Sequence, residues 1–287
     1  VASFSRHAFL LTVCDAGAVI FPLAFNQLEP RIGFNLATRV LAFILLGTSV
    51  IPLALMSFPK QDNSTGTPER STRPAPSKLF TRFHRKIIDV SALREGPFIL
   101  LIAGLLTAFM AIYTILYYIN LFAMQRTSAP SNVSSSILVS LNGASTVGRI
   151  SPSVIADHIG PVHVLAVTAL FSGVLAFAML AVETSAGIIA WAIVFGSTAG
   201  AFMGLPAAGI VSVSKSRVNI GARLGMTLGT VGCGVVIAEP IAGAILDRPG
   251  GGWLGLVAWS GSLMLLGWLF VTAARIAKVG FTIHNIV

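Results

Sequence analysis

Long, unbroken apolar runs recur along nearly the whole chain, and they decide what it can fold into. Eight can be read, at roughly 8–28, 36–58, 97–123, 133–155, 162–182, 185–211, 221–246 and 254–274. The hydrocarbon core of a bilayer takes about 20 residues of helix, so most of these runs are long enough to cross it. They are continuous and do not alternate with a period of two, which argues against a β-barrel. Inside lipid the backbone must satisfy its own hydrogen bonds, and a helix does this within one segment. The expected fold is therefore an all-α membrane protein with about eight transmembrane helices.

Composition excludes the competing classes. The 287 residues are 55% hydrophobic and 10% charged, with mean hydropathy +0.85, whereas a soluble domain carries about 25% charged residues. A water-soluble enzyme, a disordered chain and a disulfide scaffold all fail this test; Cys14 and Cys233 are the only cysteines.

The formal net charge of +9 would suit nucleic acid only if it lined a soluble face. Its distribution says otherwise. The one long polar stretch, 59–96, carries eight Lys/Arg. With that stretch in the cytoplasm, Arg6, Arg149, Lys215, Arg217, Arg223, Arg275 and Lys278 join it there, and Arg31, Arg39, Arg126 and Arg248 fall outside. The basic residues thus orient the helices, by the positive-inside rule, and point to no nucleic-acid partner. The first half of the stretch is rich in Pro, Ser and Thr and reads as a linker. The second half either lies on the membrane as an amphipathic helix, with Phe80, Phe83, Ile87 and Ile88 on one side, or remains a basic loop. The chain opens on Val1 and a spanning run follows almost at once, without a secretory signal, so a longer protein is expected.

No catalytic or cofactor motif stands out. There is no H-E-x-x-H and no phosphate-binding G-x-x-x-x-G-K-[ST]. His7, His84, His158, His163 and His284 fall at span ends or in loops, where they form no metal cluster. The Gly143-Ala144-Ser145 segment superficially suggests a serine nucleophile, but no mid-span histidine is present to act as its base. No cofactor, no metal and no enzymatic activity are expected.

Polar residues inside apolar runs are costly and usually face a cavity or a partner. Asn142, Ser145, Thr146 and Arg149 recur at i, i+3, i+4, i+7, one stripe of a helix. Such a stripe suits a path where the Arg149 guanidinium grips a carboxylate through two parallel bonds; the alternative is that Arg149 snorkels to the interface. Asp15 and Glu239 are candidate proton carriers, and each could instead pair with a polar neighbour. Glu239 precedes Pro240, whose ring interrupts the helical ladder. Tyr113, Tyr117 and Asn120 share a helix face fit to line a substrate path. Gly196, Gly200 and Gly204, and likewise Gly221, Gly225 and Gly229, are spaced by four, as where helix backbones meet closely. Pro22, Pro52, Pro152, Pro206 and Pro240 add kinks.

Taken in order, several pieces resemble the major facilitator superfamily, and within it the monocarboxylate-transporter-like porters of fungi. They are Ile20-Phe21-Pro22, Ile32-Gly33-Phe34, Thr38-Arg39-Val40-Leu41, Leu141-Asn142-Gly143-Ala144-Ser145 and Gly148-Arg149-Ile150. Further on stand Ala156-Asp157-His158-Ile159-Gly160, Gly200-Ala201-Phe202, Gly221-Ala222-Arg223-Leu224-Gly225-Met226 and Pro240-Ile241-Ala242-Gly243. The resemblance implies twelve helices in two halves, of which this chain holds helices five to twelve. Residues 1–58 are then the last two helices of the N-terminal half, 59–96 the cytoplasmic central loop and 97–287 the C-terminal six-helix half. It also implies that Arg149 binds the substrate anion. The aspartate that stands one turn earlier in animal members is here Ser145, which leaves proton coupling through that pair in doubt. Asp157 and Gly160 match a cytoplasmic loop motif that latches one conformation; Ser153 replaces its first glycine and His158 its basic residue. Glu239 carries no role in the family.

The function expected is secondary-active, alternating-access transport of a small organic anion, a monocarboxylate by the resemblance, with a proton as possible co-substrate. Arg149, Tyr113, Tyr117, Asn120, Asn142 and Ser145 would bind substrate, and Asp15 and Glu239 are the coupling candidates. Asp157, His158 and Gly160 would form the latch. The bilayer is the other partner, and the expected location is the plasma membrane with the loop and C-terminus cytoplasmic. The alternative is a non-transporting sensor, partner subunit or remnant of such a transporter.

Overall fold

A computed structural model describes residues 24–25, 27–50, 89, 91–127, 131–214, 219–248 and 252–280, with only the backbone for 131–135. Asp15 and the amphipathic stretch at 80–88 lie outside these residues. Everything regular among them is helical. Contacts divide the chain into two compact units: residues 13–82, and residues 83–287 with 1–12.

In the first unit, α1 (Gln27–Val50) is long and apolar enough to cross a membrane. Its Thr38 hydroxyl donates back to the carbonyl of Phe34, whose ring meets Phe25 edge-on at 5.8 Å.

The second unit holds α2 (Gly96–Arg126), α3 (Ser131–Ile159), α4 (Pro161–Ala178), α5 (Ser185–Gly204), α6 (Pro206–Val213), α7 (Ile220–Leu246) and α8 (Gly252–Val279). Among the described residues six spans meet the length and hydropathy of a membrane crossing: α1, α2, α4 with its 3-10 extension to Ala181, α5 with α6, α7, and α8. At 29 residues, α3 is about 44 Å long and so exceeds the bilayer core, but its polar stripe makes it the least apolar of the long helices. The runs from residue 97 onward become helices, that at 185–211 as two, but the expected break between 28 and 36 falls inside α1, which continues through Pro30 and Gly33; the protein is an all-α membrane protein.

Local chemistry sets the helix ends. Pro161 and Pro206 occupy the first position of α4 and α6, and Pro97 the second position of α2, near helix starts where a missing N–H costs nothing. The Thr184 hydroxyl caps α5 by accepting from the N–H of Gly187 at 3.1 Å. Pro206 does more than kink the run at 185–211: it splits it into α5 and α6 at Leu205. The C-terminal carbonyl of α6, on Val213, accepts from Lys278 Nζ at 3.0 Å, which favourably places a cation at a helix C-terminus.

Packing runs in the order α7, α2, α8, α4, α5, α3. Two seams are close. A Cβ built on Gly196 would lie 2.5 Å from the Leu141 carbonyl oxygen, and those on Gly200 and Gly148 would overlap the carbonyls of Ser145 and Ser197. Between α2 and α8, Gly104 and Gly267 face each other, and either Cβ would come within 3.0 Å of the other's carbonyl oxygen. The first seam agrees with the Gly196–Gly200–Gly204 spacing. The second repeat does not make a contact: Gly221, Gly225 and Gly229 have nothing within 4 Å, on a face of α7 that is open among the described residues.

Tryptophans fasten neighbouring helices. Trp191 on α5 donates its indole N–H to the Leu175 carbonyl on α4 at 2.8 Å. Trp253 on α8 meets Phe122 on α2 edge-on at 5.0 Å and donates to Gln125 Oε1 at 3.1 Å. Trp259 and Trp268, also on α8, pack against the apolar core.

Candidate substrate-binding site

The polar stripe of α3 turns toward α5. Ser145 is buried, its backbone lying against Gly200. One turn on, the Cβ and Cγ of Arg149 pass beside Gly204, at 3.4 and 3.3 Å from where a Cβ would stand. Gly204 thus makes room for the Arg149 stem. Thr146 and Ser153 spend their hydroxyls on their own helix, donating to the carbonyls of Asn142 at 3.0 Å and Arg149 at 2.7 Å. Asn142 and Arg149 are half-buried.

On α2, Tyr113 stacks on Phe109 at 6.2 Å, and Phe109 meets Phe202 of α5 at 5.7 Å. Phe202 and Gly204 are two residues apart on α5, so the Tyr113 cluster and Arg149 meet that helix at similar height on different faces. Tyr117 is 73% exposed. Asn120 is half-buried, and its shielded Oδ1 has no hydrogen-bond partner among the described residues. Glu239 is on α7, which packs against α2. Both its carboxylate oxygens are shielded from solvent and accept no hydrogen bond among the described residues. Sequence periodicity missed its neighbour Tyr118, whose hydroxyl donates to the Glu239 carbonyl at 3.4 Å. Gly243, one turn later, leaves the space Tyr118 occupies.

The latch candidates divide. Asp157 and His158 are exposed at the end of α3. Gly160 is buried and takes φ 92°, ψ 137°, a conformation that is essentially glycine's alone. It turns the chain from α3 into α4, and its N–H closes onto the Ala156 carbonyl at 2.9 Å. Gly160→Ala is expected to cost about 1–3 kcal/mol, read as a lowered unfolding temperature in detergent; an unchanged temperature would refute the backbone requirement.

The strongest polar assembly is centred on a residue that the sequence reading used for orientation and for the family resemblance, with no binding role. Arg223 on α7 is 1% exposed. Its Nε donates to Asp89 Oδ2 at 3.0 Å, and Nη1 and Nη2 donate to the two oxygens of Glu95 at 3.0 and 2.8 Å. The guanidinium also lies 5.5 Å over the Phe98 ring. Asp89 Oδ1 accepts from the Ser91 hydroxyl at 2.5 Å and from the Ser91 N–H at 3.2 Å. All four carboxylate oxygens are satisfied, so the segment entering α2 is clamped to the start of α7. The Ser91 hydroxyl above all, with Arg223 adding to it, holds the Asp89 carboxyl below the usual carboxylate range against the opposing effect of burial. The available signal was position: an arginine three residues into an apolar run.

Among the described residues no three His, Cys, Asp or Glu side chains gather to hold a metal ion. No family model matches the chain. Individual relatives do. It is 35% identical over 259 residues to the MFS-type transporter dbaD of Emericella nidulans, covering 90% of this chain and 54% of that protein. It is 31% identical over 274 residues to the MFS-type transporter opdF of Penicillium oxalicum, covering 94% of this chain and 60% of that one. These likenesses support the major facilitator superfamily. A third relative, the Fujikurins efflux protein of Gibberella fujikuroi, is 29% identical over 267 residues, or 93% of this chain and 54% of its own length. The chain therefore spans little more than half the length of the superfamily relatives it matches.

Proposed function

We propose that this chain serves secondary-active transport of a small organic anion across a bilayer by alternating access, with Arg149 as the anion's partner. The carrying observation is the seat of Arg149: a cation two-thirds of the way along a 29-residue helix, its stem laid beside Gly204. A guanidinium so placed suits a carboxylate, which it can meet with two parallel hydrogen bonds. The Tyr113–Phe109–Phe202 aromatic cluster suits the organic remainder, while Tyr117, Asn120, Asn142 and Ser145 complete the proposed route. The name of the Fujikurins efflux protein supports export over uptake. In this reading residues 1–58 and 97–287 belong to the two halves of the transporter. The basic loop 59–96 and the C-terminus face the cytoplasm of a plasma-membrane protein, where Asp157, His158 and Gly160 form the latch.

The test is flux of a panel of radiolabelled organic acids in liposomes carrying the protein. Arg149→Ala should reduce flux about tenfold or more, since a hydrogen bond to a charged group contributes about 1.5–3 kcal/mol. Arg149→Lys should recover only part of it, because the ammonium cannot reproduce the planar fork. Flux unaffected by Arg149→Ala would remove this residue from the binding site.

A further inference from the structure

Glu239 stands out among the buried polar groups. It is the twentieth residue of the 27-residue α7, and neither carboxylate oxygen reaches a hydrogen-bond donor among the described residues. Among the described residues, the cations on the elements packed against α7 stand toward helix ends; on α2 it is Arg126, the exposed last residue, eight residues or about 12 Å along the helix from Tyr118. On α2 the facing hydroxyl, Tyr118, donates to the backbone carbonyl of Glu239. Tyr117 is exposed, and Asn120 presents a second oxygen without a donor. The ionisable residues on α8, Arg275 and Lys278, lie in its last two turns, and α6 has none. On α7 itself Cys233 is exposed. Arg223 is sixteen residues away, about 24 Å along the helix, and bound to Asp89 and Glu95. Asp247 and Arg248 stand about two turns beyond, both exposed.

An ionised carboxylate there would be an uncompensated charge, which desolvation strongly disfavours. A proton removes that charge without needing space or further ligands. The same place is also able to change. Pro240 has no N–H, so the Val236 carbonyl loses its helical donor and α7 is weakened beside Glu239. Tyr118 touches α7 there through one long hydrogen bond.

We propose that Glu239 is a proton-binding site of the transport cycle, taking up one proton on a carboxylate oxygen while α7 is closed on Tyr118 and releasing it when that contact opens. The coupling half of this proposal rests on the transport reading above; the binding half does not. It departs from the family resemblance, in which this position carries no role.

Infrared spectroscopy of the protein in liposomes, titrated with protons alone, tests the binding. The carbonyl stretch of a protonated carboxylic acid is expected near neutral pH in the wild type, lost in Glu239→Gln and kept at a shifted frequency in Glu239→Asp. Identical carboxylic bands in wild type and Glu239→Gln would overturn the proposal. Flux of the same labelled acids tests the coupling. Glu239→Gln should retain downhill flux and lose its response to an imposed pH gradient, and a retained response would overturn the coupling. A wild type that moves none of the acids would count against the transport reading, and the infrared band would still decide the proton site.

Discussion

Arg223→Ala is expected to destabilise the protein by about 3–5 kcal/mol, the loss found when one partner of a buried ion pair is removed. The cause is what remains: Asp89 and Glu95 facing each other's charge without the guanidinium that three hydrogen bonds now bring to them. Arg223→Lys should fall between, because one ammonium cannot bond both carboxylates in this geometry. The triple variant Arg223→Met, Asp89→Asn, Glu95→Gln removes all three charges together and should recover much of the loss. The readout is the temperature at which the detergent-solubilised protein leaves its monodisperse peak in size exclusion. An Arg223→Ala variant as stable as the wild type would show that the clamp does not hold α7 to the segment entering α2. The pH dependence has a definite sign. The folded-state value of Asp89 is depressed, so its stabilisation is full above the unfolded value of about 3.9 and is lost as pH falls through the lower folded one. The contribution of Asp89 should therefore stay flat from neutral pH down to about pH 5.

Gly200→Val should be as damaging by a different route. Its Cβ would meet the Ser145 carbonyl, and behind that carbonyl stands the helix backbone, which cannot rotate away as a side chain would. Overpacking costs about 1–3 kcal/mol where neighbours can yield, and here α3 and α5 would have to part along the seam that also seats Arg149. Loss of both monodispersity and acid flux is expected. The control has the same spacing in sequence. Gly225→Ala adds a methyl group where nothing lies within 4 Å, and it should gain up to about 1 kcal/mol from helix propensity. Equal tolerance at Gly200 and Gly225 would refute the close packing of α3 on α5.

That contrast marks what the sequence could reveal. Apolar runs set the helices, because a bilayer fixes their length and forbids unpaired backbone. A four-residue glycine spacing says that a helix has a smooth face. It cannot say whether another helix lies against that face, because the partner is remote in sequence. The α2–α8 seam was missed for the same reason: Gly104 and Gly267 are single glycines with no repeat to flag them. At the candidate site, periodicity groups Asn142, Ser145, Thr146 and Arg149 on one helix face. Only packing turns that face toward Gly200 and Gly204. Arg223 looked like a mark of orientation, since its acidic partners are more than 120 residues earlier in the chain.

The tryptophans of the fold decide what intrinsic fluorescence can see. All four, Trp191, Trp253, Trp259 and Trp268, are on α5 and α8, so emission reports on the α4–α5 and α2–α8 contacts. The helix that carries Arg223 and Glu239 has no indole and is dark in such a measurement. It does carry Cys233, exposed on α7, where a thiol-linked dye would light a helix that the tryptophans leave unobserved.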